Sequence, residues 1–165
     1  MKKLVISSLL ALAGASSAQA ATGSVGTASG TASANIVNVL KVTHGTGAAL
    51  QFGTFTAGTG GTVVVTQAGA GSITGDVGTI TGSTTAADSF TVTGDGTRTF
   101  AISATSSNSV ATTGGATMPF ALSVPATATL AAGTATVRIG GTLTVGNNQA
   151  VGAYTGSYTL TVTYQ

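Results

Sequence analysis

The C-terminal stretch Tyr154-Thr155-Gly156-Ser157-Tyr158-Thr159-Leu160-Thr161-Val162-Thr163-Tyr164 decides how this chain folds. Its apolar residues Tyr154, Tyr158, Leu160, Val162 and Tyr164 fall on even positions, and Thr155, Thr159, Thr161 and Thr163 fall on odd ones. That period of two belongs to a strand with one face buried and the other in water. Thr and Val alternate in the same way upstream, while Glu, Gln, Lys, Met and Leu are scarce beyond the first twenty residues. The chain is therefore expected to be all-β, with about nine short antiparallel strands at the turn spacing of a sandwich or barrel.

The expected strands run over Ala34 to Thr43, Leu50 to Phe55, Thr62 to Gln67, Gly71 to Ile80, Ser89 to Thr93, Thr97 to Ala104, Thr117 to Val124, Thr134 to Val145 and Tyr154 to Tyr164. Gly94-Asp95-Gly96 supplies residues that tolerate a tight reversal, so Phe90 to Thr93 and Arg98 to Ile102 are expected to pair as a hairpin. Phe90 and Val92 would then lie beside Phe100 and Ile102, with Asp95 and Arg98 paired at the tip. Pro119 and Pro125 cannot donate to a ladder, which places Phe120 to Val124 at an edge or a bulge. Gly140-Gly141, inside the long run from Val137 to Val145, marks a point where one strand changes sheets.

Lys2 and Lys3 precede an apolar run from Leu4 to Gly14 and a small-residue ending Ala18-Gln19-Ala20. This reads as a secretory signal peptide over residues 1–20, too short to span a bilayer. No later apolar stretch is long enough for a transmembrane helix. Beyond the leader, three basic and three acidic side chains balance. Lys41, Arg98 and Arg138 stand singly, so no basic surface for nucleic acid is expected. With no cysteine, an exported domain must rely on core packing and sheet hydrogen bonds.

The same composition argues against catalysis. Past residue 20 there is one histidine, no glutamate and six charged side chains, too few to assemble acids, bases or nucleophiles with shifted pKa values. No serine sits in a G-x-S-x-G elbow. The glycine-rich Ala57 to Thr62 lacks the lysine of a phosphate loop. Asp76, Asp88 and Asp95 form no D-x-D calcium loop. His44, at a strand end beside Gly45, is expected as a solvated turn residue, since it has no second His or Cys to share a metal. No enzyme activity, cofactor or metal is expected.

The C-terminal strand begins at Gly152 and closes on a penultimate tyrosine, Tyr164. In this it resembles the β-zipper of chaperone-usher pilins, the strand handed to an assembly chaperone, with Gly152, Tyr154, Tyr158, Leu160, Val162 and Tyr164 as the matching residues. A final core strand fits the same pattern. More broadly, Ala32 to Val37, Leu50-Gln51-Phe52-Gly53-Thr54, Asp88 to Gly94, Val137 to Val145 and Gly152 to Gly156 together resemble an uncharacterised secreted family of Gram-negative bacteria, domain of unknown function 4402. The resemblance implies an Ig-like, pilin-like antiparallel β-sandwich over residues 34–165 and a cell-surface setting, with similarity to archaic pilins and spore-coat-protein-U-type domains. It brings no catalytic residues.

The pilin likeness also implies a mechanism. A pilin short of one strand leaves a groove that a neighbour's N-terminal arm fills by strand addition. Ala21 to Ser33 is the candidate arm here, with Val25, Thr27, Ser29 and Thr31 alternating with Gly and Ala; a disordered tail is the alternative for these residues. Two functions follow. One is a structural subunit of a surface filament, fimbria or coat, self-associating with help from a periplasmic chaperone and an outer-membrane usher, and located in the periplasm, on the outer surface or outside the cell. The other is a monomeric sandwich binding a glycan or surface partner through the loops Ser106 to Ala116 or Ala126 to Ala132.

Overall fold

The computed structural model describes Gly23 and residues 26–165; the expected leader and Val25 lie outside the described residues. Contacts divide the chain into two units, residues 1–35 and Ile36–Gln165. In the first, Gly23 and residues 26–35 are exposed and carry no secondary structure. The second holds twelve strands and, among the described residues, no helix: β1 (Lys41–His44), β2 (Phe55–Thr56), β3 (Gly61–Val65), β4 (Gly71–Gly75), β5 (Gly78–Thr79), β6 (Asp88–Thr93), β7 (Thr99–Ser106), β8 (Ser109–Ala111), β9 (Thr117–Ser123), β10 (Thr127–Thr129), β11 (Thr134–Val145) and β12 (Tyr158–Tyr164). No helix among the described residues is long and apolar enough to cross a membrane.

The strands form an antiparallel β-sandwich. Seven belong to one sheet, with β1, β6, β11, β3 and β4 in order and β9 and β8 attached through β11. β10, β7 and β12 form the second sheet, and β2 pairs only with β5. β11 has the bounds its alternation predicts, but the glycine pair does not carry it into a second sheet as expected: it stays in the large sheet and changes partners there. Thr134 to Ile139 pair with β6, Gly141 to Val145 with β3, and Gly140 to Leu143 with β9. Steric room explains why glycine stands there. A Cβ on Gly140 would lie 2.8 Å from the Thr66 carbonyl carbon and 2.9 Å from the Gln67 nitrogen, and one on Gly141 would lie 2.9 Å from the Ala121 oxygen. Pro119 occupies a comparable hand-over in β9. Thr117 to Pro119 face β8, the pairing with β11 starts at Phe120, and the missing N–H falls where no single ladder runs through.

Two apolar clusters make up the core. One lies between the sheets: Val92, Val137 and Ile139 from the large sheet meet Phe100 and Ile102 of β7 and Leu130, with Leu160 and Val162 of β12 packed alongside. Val92, Phe100 and Ile139 are wholly buried, each worth about 1.5–3 kcal/mol in water-exclusion terms. The other cluster, Val63, Val77, Val110, Met118, Phe120, Leu143 and Val145, draws no member from the three-stranded sheet; Phe52, Phe55, Ala57, Leu122 and Tyr154 pack against it instead.

Several sequence expectations change. The hairpin of Phe90 to Thr93 with Arg98 to Ile102 does not form. β6 pairs with β1 and β11, and β7 pairs with β10 and β12, so the Gly94 to Arg98 turn crosses from one sheet to the other. Val92 faces Phe100 and Ile102 through the core rather than beside them. An alternating pattern and a tight turn fit both geometries; burying the two apolar faces against each other selects the arch. Arg98 Nε still donates to Asp95 Oδ2 at 3.0 Å. The expected strand from Ala34 pairs only from Lys41, because Lys41 stands opposite Thr93, the last residue of β6. Leu50 to Phe55 keeps just the Gln51–Ala86 bridge and the start of β2. Gly71 to Ile80 breaks after Gly75, whose φ of 71° lies in the left-handed region, since its partner β3 begins at Gly61 and offers no residue further along. The loops expected at Ser106 to Ala116 and Ala126 to Ala132 contain β8 and β10, strands too short and too rich in Ala, Ser and Thr to show an apolar period.

Candidate functional site

β12 pairs with β7 along its whole length, Tyr158 opposite Ser106 and Tyr164 opposite Phe100. Its other edge has no ladder partner among the described residues. Such an edge is a template for another strand. β1 is likewise an edge strand of the large sheet, paired only with β6. The inward residues Tyr158, Leu160, Val162 and Tyr164 all pack on the core between the sheets. Tyr154, expected on the same face, lies outside β12 and packs on the other cluster. Thr155 bridges to Ala111, which interrupts the alternation before Tyr158.

Polar contacts fasten both ends of β12 to the opposite sheet's side of the molecule. At the C-terminal end the Tyr164 hydroxyl donates to the Asn38 carbonyl at 2.8 Å and accepts from the Asp95 N–H at 2.6 Å. At the N-terminal end the Tyr158 hydroxyl donates to the Asp88 carboxylate. Asp88, Phe90 and Val92 alternate on the inner face of β6, which leaves Asp88 only 4% exposed. A buried carboxylate needs donors, and Asp88 Oδ1 also accepts from the Ser89 N–H at 2.7 Å and lies 2.7 Å from His44 Nε2. The Phe90 ring sits 4.8 Å from the His44 ring and 6.1 Å from that of Tyr158. Burial, and then the hydrogen bond and negative charge of Asp88, push the Tyr158 pKa well above the ordinary tyrosine range. His44 is thus half-exposed but engaged, not the free turn residue its sequence context suggests, because it ends β1 directly opposite Phe90.

Beside this end of β12 the second apolar cluster, around Phe120 and Leu143, opens into a groove of about 1480 Å3. Leu50, Phe52, Phe55, Met118, Phe120 and Tyr154 line it, and Tyr158 reaches its margin. The rim is held by Gln149, whose Nε2 donates to the Thr117 carbonyl at 3.0 Å and to the Tyr154 oxygen at 2.8 Å, while Tyr154 donates to the Ala150 carbonyl at 2.7 Å. Gly152 is exposed on the same loop at φ 154°, with Thr112 Cγ2 3.0 Å from where a Cβ would be. The structure therefore divides the β-zipper candidates. Gly152 and Tyr154 shape the groove; Leu160, Val162 and Tyr164 belong to the edge strand; Tyr158 touches both. Of the arm candidates, Thr27, Ser29 and Thr31 are exposed and outside any strand, and Val25 is outside the described residues.

The three aspartates serve separate places: Asp76 accepts from the Thr59 N–H at 3.0 Å, Asp95 pairs with Arg98, and Asp88 joins β6 to β12. Phe52, Phe55, Met118 and Asp88 are the residues sequence reasoning missed. The signal available for Asp88 was its register, two before Phe90 and four before Val92.

A family model, Domain of unknown function (DUF4402), matches residues 40–164. The chain belongs to this family. No curated protein and no solved structure matches it. The DUF4402 span starts one residue before β1 and ends on the last residue of β12, so it holds all twelve strands, the groove and both fastenings of β12 apart from the Asn38 carbonyl.

Proposed function

We propose that this protein is an exported structural subunit of a surface filament, fimbria or coat, and that its copies join by adding a strand of one to the groove and free edge of the next. The observation that carries the reading is the groove. At about 1480 Å3 it exceeds the range of about 300–1,000 Å3 usual for small-molecule sites. About half of its lining residues are aliphatic or aromatic and the others are mostly Thr, Ser, amide and Gly, with no cluster of three His, Cys, Asp or Glu side chains suited to a metal among the described residues. A peptide segment matches that size and chemistry. The unpaired edge of β12 offers the main-chain hydrogen bonds that strand addition uses.

The leader at residues 1–20 would export the chain, and a periplasmic chaperone and an outer-membrane usher are the partners such assembly calls for. A chaperone strand covering the groove before polymerisation would spare the cell an exposed apolar surface and an open sheet edge. The test is an immunoblot of native surface extract in cold SDS, with and without boiling. A ladder that collapses to monomer on heating is expected; a monomer band alone in every lane would sink the subunit reading and favour a monomeric binding module.

A further inference from the structure

We propose that Ile36, Val37 and Val39 are the apolar anchors of the subunit contact, seated in the groove of a second copy of this chain so that copies stack head to tail. The proposal rests on the strand-addition reading above and names its donor. Residues 26–40 carry no strand, helix or turn, yet Ile36 is 95% exposed and Val39 84% exposed, with Val37 half-buried between them. Two aliphatic side chains left to water on either side of a half-buried valine call for a partner.

The preceding described residues cannot be that donor on apolar grounds, since 26–35 are Gly, Thr, Ala, Ser and Asn only. Val37 and Val39 extend the odd-numbered register of Thr27, Ser29 and Thr31, so a strand through this region would present both valines on one face and Ile36 on the other. The acceptor has matching exposed aliphatics on its lining, Ile80 and Val151, the latter fully exposed. Charge agrees as well: Lys41, exposed just after the anchors, has its opposite in Asp76, exposed on the groove lining.

Geometry makes the contact intermolecular. Asn38 is held at the Tyr164 end of β12, whereas the groove is reached from the Tyr158 end. Six steps of strand separate the two, about 20 Å. Leu40 is packed against the core between the sheets, and the four residues from Leu40 back to Ile36 span at most about 14 Å. The anchors therefore cannot fill their own groove. Donor and acceptor are different surfaces at opposite ends, and a contact of that kind propagates instead of closing as a pair.

The test compares the full chain with Ile36→Ser/Val39→Ser and with a chain lacking Ala21 to Ser33, each exported normally and run in cold and boiled SDS. The double substitution is expected to cut the cold ladder at least about tenfold with an unchanged melting temperature, because both side chains are exposed in the monomer. A ladder kept by the double variant but lost on truncation overturns this donor assignment while leaving the subunit reading intact; absence of a wild-type ladder overturns both. A second measurement does not depend on loss. In this cysteine-free chain, Val39→Cys on one tagged copy and Val151→Cys on another should give a mixed disulfide dimer on oxidation. Failure to trap that dimer from an assembled sample overturns the head-to-tail contact.

Discussion

The two halves of the sandwich bury their cores by different means. Around Phe100 and Ile139 the large sheet faces β7, β10 and β12, and the side chains between them are shut off from water. Around Phe120 and Leu143 the same large sheet lacks the three-stranded sheet opposite, and Phe52, Phe55 of the short β2, Ala57, Leu122 and Tyr154 pack on the cluster instead. A sheet with an apolar face needs a second layer. Where the layer is the three-stranded sheet the core closes, and where it is loops and the two-residue strands β2 and β5 a groove remains. The half left open is the one into which the proposed subunit contact would fit, and Asp88, with His44 and Tyr158, stands near the boundary between the two.

That contrast can be broken by substitution. Phe100→Ala should cost about 3–5 kcal/mol, the full penalty of a closed site, while Phe52→Ala on the groove wall should cost clearly less; equal losses in denaturant melts would erase the distinction between the halves. Gly140→Val, at the point where β11 passes from one half to the other, should cost about 1–3 kcal/mol as the strand moves off Thr66 and Gln67. A denaturation midpoint like that of wild type would mean that the close approach is relaxed at no expense.

Asp88→Ala should lose about 1–3 kcal/mol, because Tyr158, Ser89 and His44 are left without their acceptor. Melts at neutral pH check this. The raised Tyr158 pKa has a definite sign. In the unfolded chain the phenol ionises near pH 10, while the folded state holds it neutral, so the unfolded state binds fewer protons above that point and stability falls as pH rises. The contribution is fully present below pH about 10. Tyr158→Phe should flatten the alkaline decline; an unchanged slope would place the decline elsewhere. The smallest effect belongs to Arg98→Ala at the exposed arch tip, under about 1 kcal/mol, where a larger shift in melting would show that the crossing between sheets depends on the Asp95 pair.

Much of the fold was legible in the chain. β11 appeared with its true ends because twelve residues of apolar alternation around Val137, Ile139, Leu143 and Val145 leave little freedom. Gly140-Gly141 marked the partner change for a reason visible in principle, since only glycine permits such close backbone approach. β8 and β10 were invisible because Ser109-Val110-Ala111 and Thr127-Ala128-Thr129 carry almost no apolar contrast. The candidate site was half legible. Tyr158, Leu160, Val162 and Tyr164 emerge from their spacing, whereas Phe52, Phe55 and Met118 come together from separate elements and leave no local mark.

Local patterning determined that the chain is all-β, which residues of each long strand point inward, and where glycine and proline interrupt a ladder, because these follow from side-chain period and backbone chemistry within a few residues. Tertiary structure alone decided which strands pair, that the Gly94 to Arg98 turn is an arch, that Asp88 meets Tyr158, and that one half of the core stays open beside an unpaired edge. Those outcomes depend on residues distant in sequence burying one another's surfaces, and a period of two is the same whether a strand's neighbour lies beside it or across the core.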